Sequence, residues 1–488
     1  MTQKEMQSIL EIGTAISSEK DYNRLLEMIL NRIMELTHAD AGTLYLADGD
    51  LLRFKIMCNN TMHTCEGGDG KEPNLPPVRM SRENVCAMCY QENRTVCIEN
   101  VRTSTEYDFS GPVRYDAMTG YHTQSMLVVP MHNRQGERLG VIQLINAMDA
   151  AGNICAFPAD IIPAVESVAS QAAITIQNVL YIENIKELFE SFVRVMSSAV
   201  DERTPYNASH TRHMVEYGRH FIDCLNETAK AEGREPWFDA EHRHELLMSV
   251  WLHDIGKLVI PLEVMNKEAR LLPEQKSEIL HRFEKMRLLA QIACLKGAIS
   301  GEALEKQLEE LKQAGDTILR ANTAGFCPDD LREEICRIRE KTYTEEDSSE
   351  KPWLEEEEFQ MLMIRRGTLS EEERAVMESH VVITDKLLSE IRFSKELSHV
   401  REWAASHHEL LNGSGYPKHL MAEQIPMEVR IITILDIFDA LVADDRPYKP
   451  GMPVEKALGI LDIMADKEGK LDPELTRLFR ESRCWEKD

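Results

Sequence analysis

The stretch from Phe157 to Asp201 constrains this chain most. Ile161, Val165, Val168, Ala172, Ile176, Val179, Ile182, Ile185, Phe189, Phe192 and Met196 recur every three or four positions, the spacing of one helical face. Neither glycine nor proline interrupts the stripe after Pro163. It therefore predicts one helix of about six heptads, a rod of roughly 60 Å at ~1.5 Å per residue. Such a rod separates an N-terminal from a C-terminal domain, and 488 residues exceed what one core usually organises. The expectation is a first half packed on the preceding domain and a second half forming a parallel seam, so that the chain is a homodimer through this connecting helix.

Ahead of the rod, residues 3–36 carry a helical pattern broken near Lys20-Asp21. Short β-rich segments come next: Ala41-Gly-Thr-Leu-Tyr-Leu-Ala47, Leu51-Leu-Arg-Phe-Lys-Ile-Met57, Ser125-Met-Leu-Val-Val-Pro130 and Leu139-Gly-Val-Ile-Gln-Leu-Ile-Asn146. Turn residues such as Asp48-Gly49 and Gln135-Gly136 separate them. This order describes a small α/β sensor domain. Phe109-Ser-Gly111, Asp116-Ala-Met-Thr-Gly-Tyr121, Thr123-Gln-Ser-Met-Leu-Val-Val-Pro130 and Gly140-Val-Ile-Gln-Leu-Ile-Asn146 make it resemble a GAF domain over roughly residues 20 to 180. The resemblance implies a central antiparallel sheet and a small ligand of unknown identity. The signature of the cyclic-nucleotide-binding members is not intact, since Ala147 comes directly after Asn146. Cys58, His63, Cys65, Cys86 and Cys89 lie here too, and their loose spacing favours buried free thiols over a metal or redox centre.

Beyond the rod, Trp251-Leu-His-Asp-Ile-Gly-Lys257 sets an imidazole, a carboxylate and an ammonium close together. In a helix Asp254 and Lys257 would share a face. Further metal-competent residues, His380, His407, His408 and Asp436, stand in apolar-periodic segments. Four histidines and two aspartates suit a pair of first-row metals with open positions better than a closed structural zinc. The ordered pieces are Tyr206-Asn-Ala-Ser-His210-Thr-Arg-His213, His253-Asp-Ile-Gly-Lys257, Ser370 to His380, His407-His-Glu-Leu-Leu-Asn-Gly-Ser-Gly-Tyr-Pro417, and Ile425 through Asp436 to Arg446-Pro-Tyr-Lys449. Together they closely resemble the HD-GYP family of HD-domain phosphohydrolases, over about residues 195 to 480.

The resemblance implies an all-α domain that hydrolyses cyclic di-GMP, or a related cyclic dinucleotide such as cyclic GMP-AMP, at a pair of divalent metals, iron or manganese. By carry-over, His253, Asp254 and Asp436 would hold one metal and Asp254, His380, His407 and His408 the other, with His210 an optional further ligand. Asp254 and Lys257 would be catalytic. Tyr416, Arg446 and Lys449 would meet the substrate. Tyr206 stands where three-metal members carry Glu, His213 where Arg is usual, and Asn412 where Asp is usual. A receptor that binds the dinucleotide without cutting it is the non-enzymatic alternative.

One stretch lies outside that pattern. Residues 271–368 separate segments that nearly adjoin in the family, and their apolar spacing predicts a helical hairpin. Residues 301–360 hold 18 acidic and 8 basic side chains, ten of the net 27 negative charges. That overall charge argues against a nucleic-acid polymer or an anionic membrane as partner. With no signal-peptide core at Met1-Thr-Gln-Lys-Glu-Met and no long apolar run, the expected location is cytoplasmic. The expected organisation is a sensor over 1–180, a connecting helix over 181–200 and an HD-type domain over 201–488, which makes the chain an α+β multidomain protein.

Overall fold

The computed structural model describes residues 15, 19, 21–68, 73, 75–133, 135–203, 209–345, 347–443 and 451–486. The chain divides into two compact units, Met1–Glu190 and Ser191–Asp488.

In the first unit, Asp21 caps α1 (Tyr22–Thr37) by accepting a hydrogen bond from the Arg24 amide, so the helix starts where the pattern breaks. The strands β1 (Ala39–Asp48), β2 (Leu51–Asn59), β3 (Thr64–Gly67), β4 (Val78–Arg79), β5 (Val96–Ile98), β6 (Met126–His132), β7 (Arg138–Met148) and β8 (Ile154–Cys155) make one antiparallel sheet of order β3-β2-β1-β7-β6-β5. β4 pairs with β2 and β8 with β7. Four of these strands were legible; β3, β4, β5 and β8 are too short for a periodic signal. Between them run α2 (Val85–Glu92) and α3 (Ser110–Thr119). One sheet face packs on α1 and the start of α4 (Ile162–Asp201), through Leu26, Ile29, Leu144, Val165, Val168 and Ile176. The other face carries a second core that includes Val85, Met88 and Val128.

The residues that carried the sensor resemblance hold loops to the sheet. Asn146, at φ 57°, accepts from the Gln124 and Ser125 amides and donates to the His122 carbonyl, while Tyr121 donates to Asp40. Asp116 accepts from the Thr123 amide and hydroxyl. The thiols differ from expectation at one pair. Cys58 and Cys65 face each other across β2 and β3 with Cα atoms 4.1 Å apart, and they form a disulfide. Cys86 and Cys89 remain buried free thiols; burial pushes Cys86 up to about 12.

The second unit is mainly helical. Its core gathers α5 (His210–Ala231), α6 (Ala240–Leu252), α14 (Val400–Ala404), α15 (Met427–Val442), α16 (Val454–Asp466) and α17 (Pro473–Ser482), through Phe221, Val250, Trp403, Leu435, Phe438, Leu461 and Phe479. After α6 come a 3-10 turn (Ile255–Val259) and α7 (Leu262–Met265), and α12 (Glu371–Glu378) and α13 (His380–Leu388) precede α14.

The segment between α7 and α12 exceeds the expected hairpin. It consists of α8 (Pro273–Leu295), α9 (Gly301–Thr323), α10 (Asp329–Arg339), a β9 (Thr342–Thr344)/β10 (Glu350–Pro352) hairpin and α11 (Glu356–Leu362). These share a core of their own that includes Ile279, Phe283, Leu311, Ile318, Ile335 and Trp353. Its base is closed by Arg270, which is fully buried: Nε donates to the Ile364 carbonyl at 2.9 Å and Nη1 to that of Ala321. The flanks are tied by Lys267 Nζ to Glu373 at 2.6 Å and by the Thr368 hydroxyl to the Lys267 carbonyl. The interruption thus leaves the two halves of the site in register.

Candidate metal centre

His253 terminates α6 and is wholly buried. Its Nδ1 lies 2.7 Å from the carbonyl of Val250, three residues back. His380 repeats this with Met377 and His407 with Ala404, each at 2.7 Å. A carbonyl accepts only, so Nδ1 carries the proton in all three, and each Nε2 is left with a bare lone pair. These three Nε2 atoms and Asp254 Oδ1 are buried without a hydrogen-bond partner among the described residues. They converge: Asp254 Oδ2 is 3.2 Å from His253 Nε2, and Asp254 Oδ1 is 3.4 Å from His380 Nε2 and 3.9 Å from His407 Nε2. Four orphaned acceptors facing one point would be costly unless a cation completes them.

Two ligand groups result. His380, His407 and His408 present donor atoms within 4.8 Å of one another, and so do His210, His253 and Asp254. Asp436 stands beside both, with Oδ1 3.3 Å from His210 Nε2 and Oδ2 3.6 Å from His408 Nδ1. The donor set, imidazole plus carboxylate with no thiolate, fits divalent first-row metals. His210, expected as an optional ligand, is grouped with His253 and Asp254 because Asp439 fixes its ring: His210 Nδ1 is 2.6 Å from Asp439 Oδ2. Asp439 was missed in the sequence. Its signal was the i,i+3 spacing to Asp436 within a helix, which sets both carboxylates on one face. His213 reaches the same carboxylate, at 3.5 Å from Oδ1.

Local packing places these groups. Gly256 is the tightest point: its amide donates to Thr384 Oγ1 at 3.0 Å, Thr384 Oγ1 donates to the His253 carbonyl at 3.1 Å, and an added Cβ would lie 1.9 Å from the His380 carbonyl oxygen. Arg203 donates to the carbonyls of Lys257, Leu258 and Ile260, holding the turn after Asp254. Asp201 accepts from the Thr211 amide and hydroxyl and secures the start of α5. Behind His407 and His408, buried Glu409 accepts from the amides of Lys418 and Leu420, clamping the Gly413–Pro417 loop. Asn412 accepts from Ser414 and donates to the Glu468 carbonyl. Tyr416 is thereby held with its ring 4.8 Å from that of His408.

The charges reflect this geometry. Burial would raise the Asp254 pKa, but the Lys257 ammonium, with Nζ 2.6 Å away, holds it well below the carboxylate range. Burial works against the Lys257 ammonium, and Asp254 outweighs it, raising that pKa. Burial lowers His380 to about 4 and pushes His407 and His408 down. His210 is the opposite case: burial opposes its charge, yet Asp436 and Asp439 raise it to about 10. The structure brings together His210, His253, Asp254, Lys257, His380, His407, His408, Tyr416 and Asp436. Arg446, Lys449 and Tyr206 lie outside the described residues.

Comparison with known proteins agrees with this division. The GAF domain family matches residues 21–176 and the HD domain family residues 357–475. The chain thus joins a GAF domain to an HD domain. Among its relatives are the 3'3'-cGAMP-specific phosphodiesterase 3 of Vibrio cholerae serotype O1, 37% identical over 113 residues; the cyclic di-GMP phosphodiesterase of Thermotoga maritima, 34% over 131 residues; and the cyclic di-GMP phosphodiesterase response regulator RpfG of Xanthomonas campestris pv. campestris, 40% over 102 residues. These alignments cover 23%, 25% and 20% of this chain, and only 23%, 35% and 26% of the relatives' own lengths. His253, Asp254 and Lys257 precede the matched HD segment, on the far side of the insertion.

Proposed function

We propose that this chain is a metal-dependent cyclic di-GMP phosphodiesterase that opens a 3',5'-phosphodiester to linear pGpG, and onward to GMP, under control of its sensor domain. The observation that carries the reading is the convergence of three unprotonated, unpartnered imidazole Nε2 atoms on Asp254. His210, His253, Asp254 and Asp436 would hold one divalent ion, and Asp254, His380, His407 and His408 a second, iron or manganese being suited to these donors. Bound there, such a pair lowers the pKa of a water and neutralises charge on the phosphoryl oxygens.

The chain's own residues do the rest. Asp254 stays ionised and so presents both oxygens. Lys257 keeps its proton because Asp254 stabilises the ammonium. Nζ therefore supplies a positive charge at the phosphate and a proton for the leaving ribose oxygen. Asp439 orients His210 through Nδ1, and Glu409 holds the loop from which Tyr416 forms a wall. Arg446 and Lys449 would take the remaining phosphate oxygens, a task suited to a guanidinium fork. The sensor over 1–180 would bind a small ligand, and the connecting helix over 181–200 would join two copies and lead to the catalytic domain over 201–488. Several relatives are named as 3'3'-cGAMP-specific enzymes, which favours the mixed ring as a second reading of the substrate.

Both cyclic dinucleotides, offered separately and in competition to protein loaded with Fe(II) or Mn(II), test the proposal. Faster hydrolysis of cyclic di-GMP is expected. Faster hydrolysis of the mixed ring transfers the assignment to it, and turnover of neither by metal-loaded protein rejects the enzyme reading.

A further inference from the structure

His213 stands one turn after His210 at the start of α5. Its amide donates to the Ser209 carbonyl at 2.9 Å, closing the first turn of the helix. The two imidazoles, three residues apart, therefore project from one face. Between them lies Asp439 of α15, whose side chain is only 1% exposed. Its Oδ2 is 2.6 Å from His210 Nδ1, and its Oδ1 is 3.5 Å from His213 Nδ1. One buried carboxylate is thus shared by two rings. His210 turns its other nitrogen to the metal centre, with Nε2 3.3 Å from Asp436 Oδ1 and 3.9 Å from Asp254 Oδ2. His213 is 31% exposed and belongs to neither ligand group.

The two oxygens of Asp439 differ in what holds them. Oδ2 has the short contact with His210, whereas Oδ1 is buried and makes no hydrogen bond among the described residues. A buried carboxylate oxygen left unpaired is costly. The terminal torsion of an aspartate is also broad, so a contact at Oδ2 alone does not fix the carboxylate plane. A donor at Oδ1 does. His213 supplies one either as the Nδ1–H tautomer or as the imidazolium, after closing from 3.5 Å to an ordinary N–H···O length of about 2.9 Å. Its ring is steadied by Tyr217, one turn further on, which stacks on it at 6.0 Å and 27°. Tyr217 in turn meets the edge of Phe438, the residue before Asp439, at 5.9 Å. These contacts tie the first turns of α5 to the stretch of α15 that carries the carboxylate.

We infer that His213 is a positioning residue of the metal centre: by holding Asp439 Oδ1 it fixes the carboxylate that aims His210, and so keeps His210 Nε2 available to the first ion. The inference rests on the metal-centre reading above and is independent of which cyclic dinucleotide is cut. His213 acts through Asp439.

Stepwise Mn(II) affinity of the full-length protein, measured by competition with a chelator, tests this without reference to turnover. His213→Phe keeps a ring against Tyr217 but removes the donor. One of the two ions should then bind about 10- to 100-fold more weakly, the scale of losing a group that orients a ligating histidine, with helicity unchanged. His213→Arg restores a donor and should return the affinity toward wild type. In an Asp439→Asn protein, adding His213→Phe should cost nothing further, because the effect passes through that carboxylate. Wild-type affinity for both ions in His213→Phe, a His213→Arg protein as weak as His213→Phe, or additive losses in the double variant would each overturn the inference. Should His213→Phe fail to fold, His213→Leu against His213→Arg makes the same comparison. Wild type that binds no Mn(II) overturns the metal-centre reading and this inference together. Wild type that binds two ions but cleaves no cyclic dinucleotide, with the variants in the expected order, supports the inference and overturns the substrate reading alone.

Discussion

Gly256→Ala is the smallest change that should dismantle the centre without touching a ligand. The added methyl would sit 1.9 Å from the His380 carbonyl oxygen, 2.7 Å from the Thr384 amide nitrogen and 2.8 Å from its hydroxyl. Reaching an ordinary contact of roughly 3.5 Å needs a shift of about 1.5 Å between the 3-10 turn and α13. That shift stretches the hydrogen bonds from Gly256 to Thr384 and from Thr384 to His253, each contributing about 0.5–1.5 kcal/mol. Overpacking adds about 1–3 kcal/mol, so the expected loss is roughly 2–6 kcal/mol. His253 and Asp254 would move relative to His380, and a misplacement near 1 Å costs about 100-fold in rate. Urea unfolding, monitored by a probe in the HD domain together with bound-metal content, is the assay. A variant with wild-type midpoint and full metal content would refute the packing argument.

The same geometry sets other expectations. Lys257→Met should keep metal content near wild type but lower kcat about 100- to 1,000-fold, the scale of losing one electrostatic stabiliser; a parallel loss of metal would assign Lys257 a structural role instead. Metal-free protein should be most stable near neutral pH. The depressed pKa of His380, about 4, means that stability is lost as pH falls from about 6.5 toward 4, because the unfolded chain binds that proton first. The raised pKa of His210, about 10, means that its contribution is full below about 6.5 and is lost as pH rises toward 10. Unfolding midpoints across this range, with chelator present, check both limbs, and a flat profile would contradict the charge assignments. Arg270→Met should orphan the Ile364 and Ala321 carbonyls at about 1–3 kcal/mol each. Limited proteolysis should then cut first within 271–368 while the metal centre persists.

The sequence was most legible where structure is local. The helical period from Phe157 to Asp201, the alternation in β1, β2, β6 and β7, and the Asp21 break each depend on neighbours in the chain. Features that need distant partners were hidden. The Cys58–Cys65 disulfide depends on strand register, and Arg270 and Arg203 act on carbonyls far from them in sequence. The apolar stripe mixed two faces, since Val179 is buried while Ile182 and Ile185 are exposed; only side-chain burial separates the packed face from the open one. Of the site, His253, Asp254, His380, His407, His408 and Asp436 were readable because motif order survives the insertion. Asp439 was passed over: its i,i+3 spacing to Asp436 sets it on the same helix face, but only the fold shows that it meets His210 Nδ1.

The most direct measurement is product analysis after cyclic di-GMP is incubated with anaerobically purified, Fe(II)- or Mn(II)-loaded protein, beside a His253→Ala/Asp254→Asn variant, with bound metal quantified for both. Linear dinucleotide from wild type, and neither product nor full metal content in the variant, is the expected result. Equal hydrolysis by both proteins, or no hydrolysis of any cyclic dinucleotide by wild type carrying two metals, would contradict a phosphodiesterase centred on Asp254.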